Sequence, residues 1–290
     1  MKIIISPAKK MNIDTDTLAC RSVPVFLDET AELLAWMRNL TFAQAKDLWK
    51  CNDKIAEQNY RRFQEMDLER NLTPAVIAYE GIQYQYMAPA VFGGAQTDYI
   101  QEHLRVLSGF YGVLKPFDGV TPYRLEMQAK ASEAGDLYRF WGDKLYREVT
   151  EKGQKATDGQ QDRLGQLDQL DQSNQQDQLN QADRLDHKGS LIVNLASKEY
   201  SKCVEKYLTP EDRYLTIVFG ELAEGKVKQK GTLAKMARGE MVRYLAEHEV
   251  EALEGIKGFD RLGYCFDEAL SNEREYVFLK KIDSVILSDP

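Results

Sequence analysis

The chain has 290 residues, long enough to bury a substantial core, and its 43% hydrophobic and 29% charged residues match an ordinary globular protein. A formal charge of −8, from 38 basic and 46 acidic residues, excludes a global field that attracts nucleic acid, so any such contact needs a local basic patch. No run approaches the ~20 apolar residues of a membrane span, and the opening Ile3-Ile4-Ile5 is too short for a signal peptide, so a cytoplasmic protein with no membrane partner is expected.

In chain order, Lys2 to Ser6 is a short apolar run ended by Pro7 and reads as a buried strand. Helical patterns follow at Glu29–Arg38, Phe42–Lys50 and Asp53–Met66. Val76 to Tyr84 mixes β-branched and aromatic residues and reads as a strand. Further helices are expected at Thr97–Ser108 and Leu137–Glu151. Residues 153–189 are dominated by Gln, Asp and Asn, with four basic residues and seven aspartates, a net of −3. Such a polar low-complexity tract is expected to stay solvated and disordered. Leu191 to Leu195 is a third buried strand. Tyr214–Glu221 and Lys226–Lys230 flank Ala223-Glu224-Gly225 as a hairpin, and Gly263–Asp267 and Tyr276–Lys280 suggest a second. Between the hairpins lies a helix from Thr232 to His248. This mixture predicts an α/β protein, one mixed-sheet domain over residues 1–290 interrupted by the 153–189 insert.

Cys20, Cys51, Cys203 and Cys265 are scattered with no Cys-x-x-Cys pair, and His103, His187 and His248 are equally isolated. This argues against zinc, a disulfide framework and a di-iron site. No cofactor or metal is expected.

Ser6-Pro7-Ala8-Lys9 leaves the end of the first strand, where ligands of α/β sheets tend to bind. A hydroxyl and an ammonium around a fixed turn suit an anion; a plain turn with an exposed lysine fits equally well. In the stretch from His103 to Asp118, which contains Arg105 and Tyr111, Gly109 and Gly112 bracket two aromatics, and a structural turn is the stronger reading. Arg124 and Glu126 fall on one side of an extended segment, either as solvated surface or as a guanidinium oriented by a carboxylate in a cleft. The aromatics of Leu137 to Asp143 read as core packing. Asn194 and Ser197 stand at the exit of the Leu191 strand. On the Thr232–His248 helix, Leu233, Met236, Ala237, Met241, Tyr244 and Leu245 form the expected buried stripe, with Lys235, Arg238, Gly239 and Val242 opposite. From Lys226 to Arg243 there are six basic residues and one acid, Glu240. A glycine inside a helix costs roughly 1 kcal/mol against alanine. Gly239 therefore points to something approaching this face closely, and so to a binding surface.

Thr41 reads as an N-cap, and Asn52 or Asp53 ends one short helix and caps the next. Lys50, Asn52, Lys54 and Arg61 then surround a helix-hairpin-helix-like turn able to hold a DNA phosphate. The usual hairpin glycines are absent, and helix pairing without DNA is the alternative.

Taken in order, Ile4-Ile5-Ser6-Pro7-Ala8-Lys9, His103 to Asp118, Pro122 to Met127, Tyr138 to Asp143, Val193 to Tyr200, Ala237-Arg238-Gly239, Gly263 to Glu268 and Tyr276-Val277-Phe278 resemble the YaaA family of bacterial peroxide-stress proteins. The 153–189 tract has no counterpart in that pattern. The resemblance implies a cytosolic protein that limits peroxide damage by keeping unincorporated iron low. It also implies a fold unlike the common superfolds, a basic cleft, a helix-hairpin-helix-like element and binding to double-stranded or structured DNA, mainly through phosphates. The candidate cleft set is Ser6, Lys9, Arg105, Tyr111, Arg124, Glu126, Asn194, Ser197, Lys235, Arg238 and Gly239. The competing reading is an enzyme holding a small anionic ligand in this polar, basic cleft. No recognised catalytic motif is present, and the catalytic residues are unknown.

Overall fold

Residues 1–131, 135–151 and 190–281 are described by a computed structural model of the chain. The Gln/Asp-rich tract 153–189 lies outside the described residues. An eight-stranded mixed sheet is built from β1 (Lys2–Ile5), β2 (Leu104–Ser108), β3 (Gly112–Leu114), β4 (Leu191–Asn194), β5 (Arg213–Ala223), β6 (Lys226–Lys228), β7 (Tyr264–Asn272) and β8 (Glu275–Lys280). The order across the sheet is β7-β8-β5-β4-β1-β2-β3, with β6 pairing to β5.

Strands β8, β5, β4, β1 and β2 are mutually parallel, and antiparallel pairs close both sides. Parallel strands deep in a sheet are covered on both faces, so their sequences run continuously apolar instead of alternating. Ile3, Ile4 and Ile5 of β1 are fully buried between Val193 and Asn194 of β4 and Leu104 to Val106 of β2. One connected apolar core runs from Ile3 to Phe278. This is the expected mixed-sheet α/β class, and the two predicted hairpins form as β5–β6 and β7–β8.

Around the sheet lie α1 (Leu27–Asn39), α2 (Phe42–Trp49), α3 (Asp53–Glu65), α4 (Ile82–Met87), α5 (Gly94–His103), α6 (Lys198–Glu205) and α7 (Gly231–Glu247). Three predicted elements are corrected. The helix expected over Thr97–Ser108 ends at His103, because Leu104 to Ser108 pairs with β1 and β3 and is wholly buried. The strand expected over Val76–Tyr84 is a helical turn at Ala75–Ala78, a two-residue strand at Tyr79–Glu80 and the start of α4. The helix expected over Leu137–Glu151 is two, Leu137–Trp141 and Lys144–Thr150, broken where Gly142 takes a φ of 52°.

The predicted helix pair is present as α2 and α3. Thr41 closes a capping box with Gln44, and the Asn52 carboxamide oxygen accepts the Ile55 N–H at 3.0 Å. The Asn52 side chain is thus engaged by its own helix, and Lys50 reaches back to Asp47 at 2.7 Å, so helix pairing accounts for the turn without a ligand.

Of the predicted stripe of α7, Ala237, Met241 and Leu245 are buried, while Leu233, Met236 and Tyr244 are half-buried. Ala234 is buried as well, and so are Gly239 and Val242 from the side expected to be open. What approaches Gly239 is the backbone of α4: a Cβ at 239 would stand 2.1 Å from the Gln83 carbonyl oxygen and 3.0 Å from the Met87 nitrogen. The glycine therefore marks helix–helix contact, which corrects its placement on a ligand-binding face. For Gly239→Ala, the helix-propensity gain of about 1 kcal/mol opposes a clash with backbone that cannot rotate away. A net loss of about 1–3 kcal/mol is expected in urea unfolding; an unchanged or raised midpoint would refute the close-packing account.

Candidate functional site

Strand order reverses direction at β1, since the chain continues to β2 on one side and later to β4 on the other. Beyond the carboxyl ends of such strands an open sheet leaves a crevice. A cleft of about 590 Å³ lies there, lined by the β1 exit, the Glu80–Tyr84 segment, Tyr123 to Glu126, the β4 exit and α7.

The two strand exits are tied together by hydroxyls. Ser6 Oγ donates to Ser197 Oγ at 3.1 Å and accepts the Ser197 N–H at 2.8 Å. Tyr84 Oη donates to the Ser6 carbonyl at 2.9 Å, pinning α4 to the same exit. Beneath, Tyr123 Oη lies 2.8 Å from Tyr79 Oη and 2.6 Å from Ser108 Oγ. The Ser108 hydroxyl also accepts the N–H groups of Phe110 and Tyr111, fixing the turn before β3. Gly109 in that turn lies under the 124–126 segment, where a Cβ would come within 2.5 Å of the Leu125 carbonyl oxygen. The glycine-punctuated stretch is a structural turn, and it seats Arg124 and Glu126 at the cleft.

Glu126 organises the charges. One of its oxygens takes Arg124 Nη2 at 3.0 Å and the other Lys9 Nζ at 2.9 Å; Arg124 is only 11% exposed and Glu126 18%. Lys10 pairs with Glu80. Lys235 and Arg238 from α7 make no ion pair with a described residue. Three buried N–H donors of lining residues, Gln83 Nε2, Arg124 Nε and Arg238 Nε, have no acceptor among the described residues. Burial pushes the Arg238 guanidinium below its ordinary value, although an arginine stays charged. Glu199 accepts the Gln128 N–H at 3.3 Å. Burial, and then the nearby charge of Glu126, hold its carboxyl above the ordinary range, against that hydrogen bond and Lys9.

The cleft thus brings together seven of the predicted residues: Ser6, Lys9, Arg124, Glu126, Ser197, Lys235 and Arg238. Four stand elsewhere. Arg105 is buried on β2 and donates to the carbonyls of Gln101 and Leu104. Tyr111 is buried and bonded to Thr121, and Gly239 is packed against α4. Asn194 shapes the β4 exit by accepting the Ala196 N–H and donating to Thr216. Lys50, Asn52, Lys54 and Arg61 are exposed on α2–α3 and do not line the cleft. Sequence reasoning passed over Lys10, Glu80, Gln83, Tyr84, Tyr123, Glu199 and Tyr200. Glu199 carried a signal, as the carboxylate two residues past a predicted strand-exit serine; Gln83 carried none.

Fold and cleft define an α/β protein with a cation-rich, donor-lined crevice at the switch point of a parallel-cored sheet. The chain belongs to the family described as peroxide stress protein YaaA, whose profile matches residues 1–270. It is similar to a UPF0246 protein of Agathobacter rectalis, 53% identical over 284 residues, covering 97% of this chain and 100% of that relative. A UPF0246 protein of Lachnoclostridium phytofermentans is 49% identical, covering 97% and 96%, and one of Lactiplantibacillus plantarum is 46% identical, covering 96% and 99%. Among the described residues, no helix is long and apolar enough to cross a membrane.

The raised Glu199 carboxyl has a stability consequence. The folded chain holds this proton to higher pH than the unfolded chain, so the contribution is complete below the unfolded value of ~4.3 and is lost as pH rises through the folded one. Glu199→Gln keeps an acceptor for the Gln128 N–H and removes the charge. The variant is expected to melt higher than the parent at about pH 7.5, with the difference fading by about pH 4. A lower melting temperature at the higher pH would show that Lys9 outweighs burial.

Proposed function

We propose that this protein limits peroxide damage by associating with DNA through its phosphates, with the cleft rim as the contact, and that it thereby accompanies a lowered pool of unincorporated iron. The reading of DNA contact is supported by one observation: the cleft of an acidic chain carries five cationic side chains, of which Lys235 and Arg238 have no carboxylate partner among the described residues. A positive, partly enclosed surface concentrates polyanions even when net charge is negative. The iron part of this reading rests on the sequence resemblance alone. Among the described residues no three His, Cys, Asp or Glu side chains cluster to hold a metal, and the proposal routes no iron through the cleft.

A second reading, an enzyme acting on a small anionic substrate, is favoured by Glu199. A carboxyl held toward its neutral form in a cleft of about 590 Å³ is suited to giving up a proton.

Duplex binding followed by fluorescence anisotropy should weaken steeply with salt, by about 0.9 in log K per log salt for each phosphate neutralised. Lys235→Ala with Arg238→Ala should flatten that slope by about two phosphates' worth. A salt-insensitive affinity, or one unchanged in the double variant, would remove DNA contact at this cleft.

A further inference from the structure

Among the described residues, five buried side-chain nitrogens lack an acceptor, and three of them are on Gln83, Arg124 and Arg238, side chains that line the same cleft. They arrive from three separate pieces of chain: α4, the extended 124–126 segment and α7. A buried N–H left without an acceptor is costly, so concentrating three such side chains in one place makes sense where a ligand brings the acceptors.

We propose that the cleft is a phosphomonoester site, receiving a terminal phosphate carried by a small molecule or by the end of a DNA strand in preference to the phosphodiester of a continuous strand. The proposal rests on the anion-binding reading of the cleft above and names its ligand.

Three features select this group. The first is acceptor number. A phosphomonoester presents three terminal oxygens, to match donors from three directions; a phosphodiester offers two, and a carboxylate is planar with two. The second is charge. Lys9, Lys10, Arg124, Lys235 and Arg238 against Glu80, Glu126 and Glu199 leave 5 − 3 = +2, the complement of a dianion. A phosphomonoester carries about −1.5 to −2 at neutral pH, whereas a diester carries −1. The third is size. A cleft of about 590 Å³ falls in the range of small-molecule sites, and a strand end can enter where a continuous duplex would have to be looped in. The Arg238 guanidinium adds to this, since its planar fork matches phosphate oxygens in pairs.

The test uses the full chain and isothermal titration with inorganic phosphate, a nucleoside 5′-monophosphate and the matching nucleoside. Saturable binding is expected for the two phosphates and none for the nucleoside. Arg238→Gln should weaken monophosphate binding about tenfold, the worth of a charge-assisted hydrogen bond. Arg124 is too deeply paired to serve as the sole probe, so exposed Lys235→Ala provides the second variant, with a smaller loss expected.

Two duplexes of one sequence, ending in 5′-phosphate or 5′-hydroxyl, separate the sources. Monophosphate binding together with tighter binding of the phosphate-ended duplex supports the proposal with the strand end as a source. Monophosphate binding without any DNA binding supports it with a free small molecule as the source, and removes the DNA reading. No saturable phosphate binding, equal binding of the nucleoside, or undiminished binding in both variants overturns it. Equal affinity for both duplexes with no monophosphate binding also overturns it, and leaves DNA association standing.

Discussion

Helix α7 lies against α4 at a distance that residue 239 permits only by having no side chain. That contact sets the spacing of two otherwise unrelated segments, the Ile82–Met87 helix and the basic Lys235–Arg238 stretch, and so decides which side chains face one another across the crevice. Tyr84 then carries the same helix to the β1 exit through the Ser6 carbonyl, and Ser6 carries the β1 exit to the β4 exit through Ser197. Each link joins residues distant in sequence, the Ser6–Ser197 bond spanning 191 positions. The cleft is thus a consequence of sheet order and one backbone approach, more than of any local motif.

Glu126 does for charge what Gly239 does for shape. Alone, Arg124 would be a nearly buried cation, and Glu126 a nearly buried anion. Paired, and with Lys9 on the second oxygen, they form a triad of net +1 whose positive ends remain directed by one carboxylate. Burying such a pair stabilises little by itself, because desolvation offsets much of the attraction. The arrangement is better understood as orientation: the carboxylate holds Nη2 of the guanidinium, and Nε has no acceptor among the described residues.

Much of this was legible in the sequence, where physical periodicity was strong. The apolar runs gave β1 and β4, period-two spacing put Arg124 and Glu126 on one side, and the basic run marked α7. Other parts depended on pairing that no local pattern encodes. Leu104 to Ser108 carries residues compatible with a helix, and only its place between β1 and β3 makes it a strand; Arg105 goes with it into the sheet. Val76 to Tyr84 has strand composition yet is mostly helical, so Gln83 was hidden as a cleft residue. Tyr111 and Asn194 have polar atoms already used by Thr121, Ala196 and Thr216, a fact that follows from folded distances alone. For Gly239 the inference of a close approach was sound, but the approaching group is backbone.

The distribution of carboxylates on and around α7 sharpens the contrast between structure and site. Arg243 lies 2.8 Å from Glu247, one turn further along. Arg261 bridges Glu240 and Glu247, so these carboxylates are engaged away from the cleft. Arg238, less than two turns before Arg243 on the same helix, is desolvated without a carboxylate partner among the described residues, although the chain holds 46 acidic residues against 38 basic ones. Glu240 is committed to Arg261 only two residues from it. An uncompensated, partly buried guanidinium is costly, and an acidic protein has the means to remove that cost with a single neighbouring carboxylate. Local rules are broken in this way chiefly where a site needs the broken rule. The unpaired charge therefore argues that the cleft is shaped around an incoming anion, with the acidic remainder of the surface narrowing where that anion can settle.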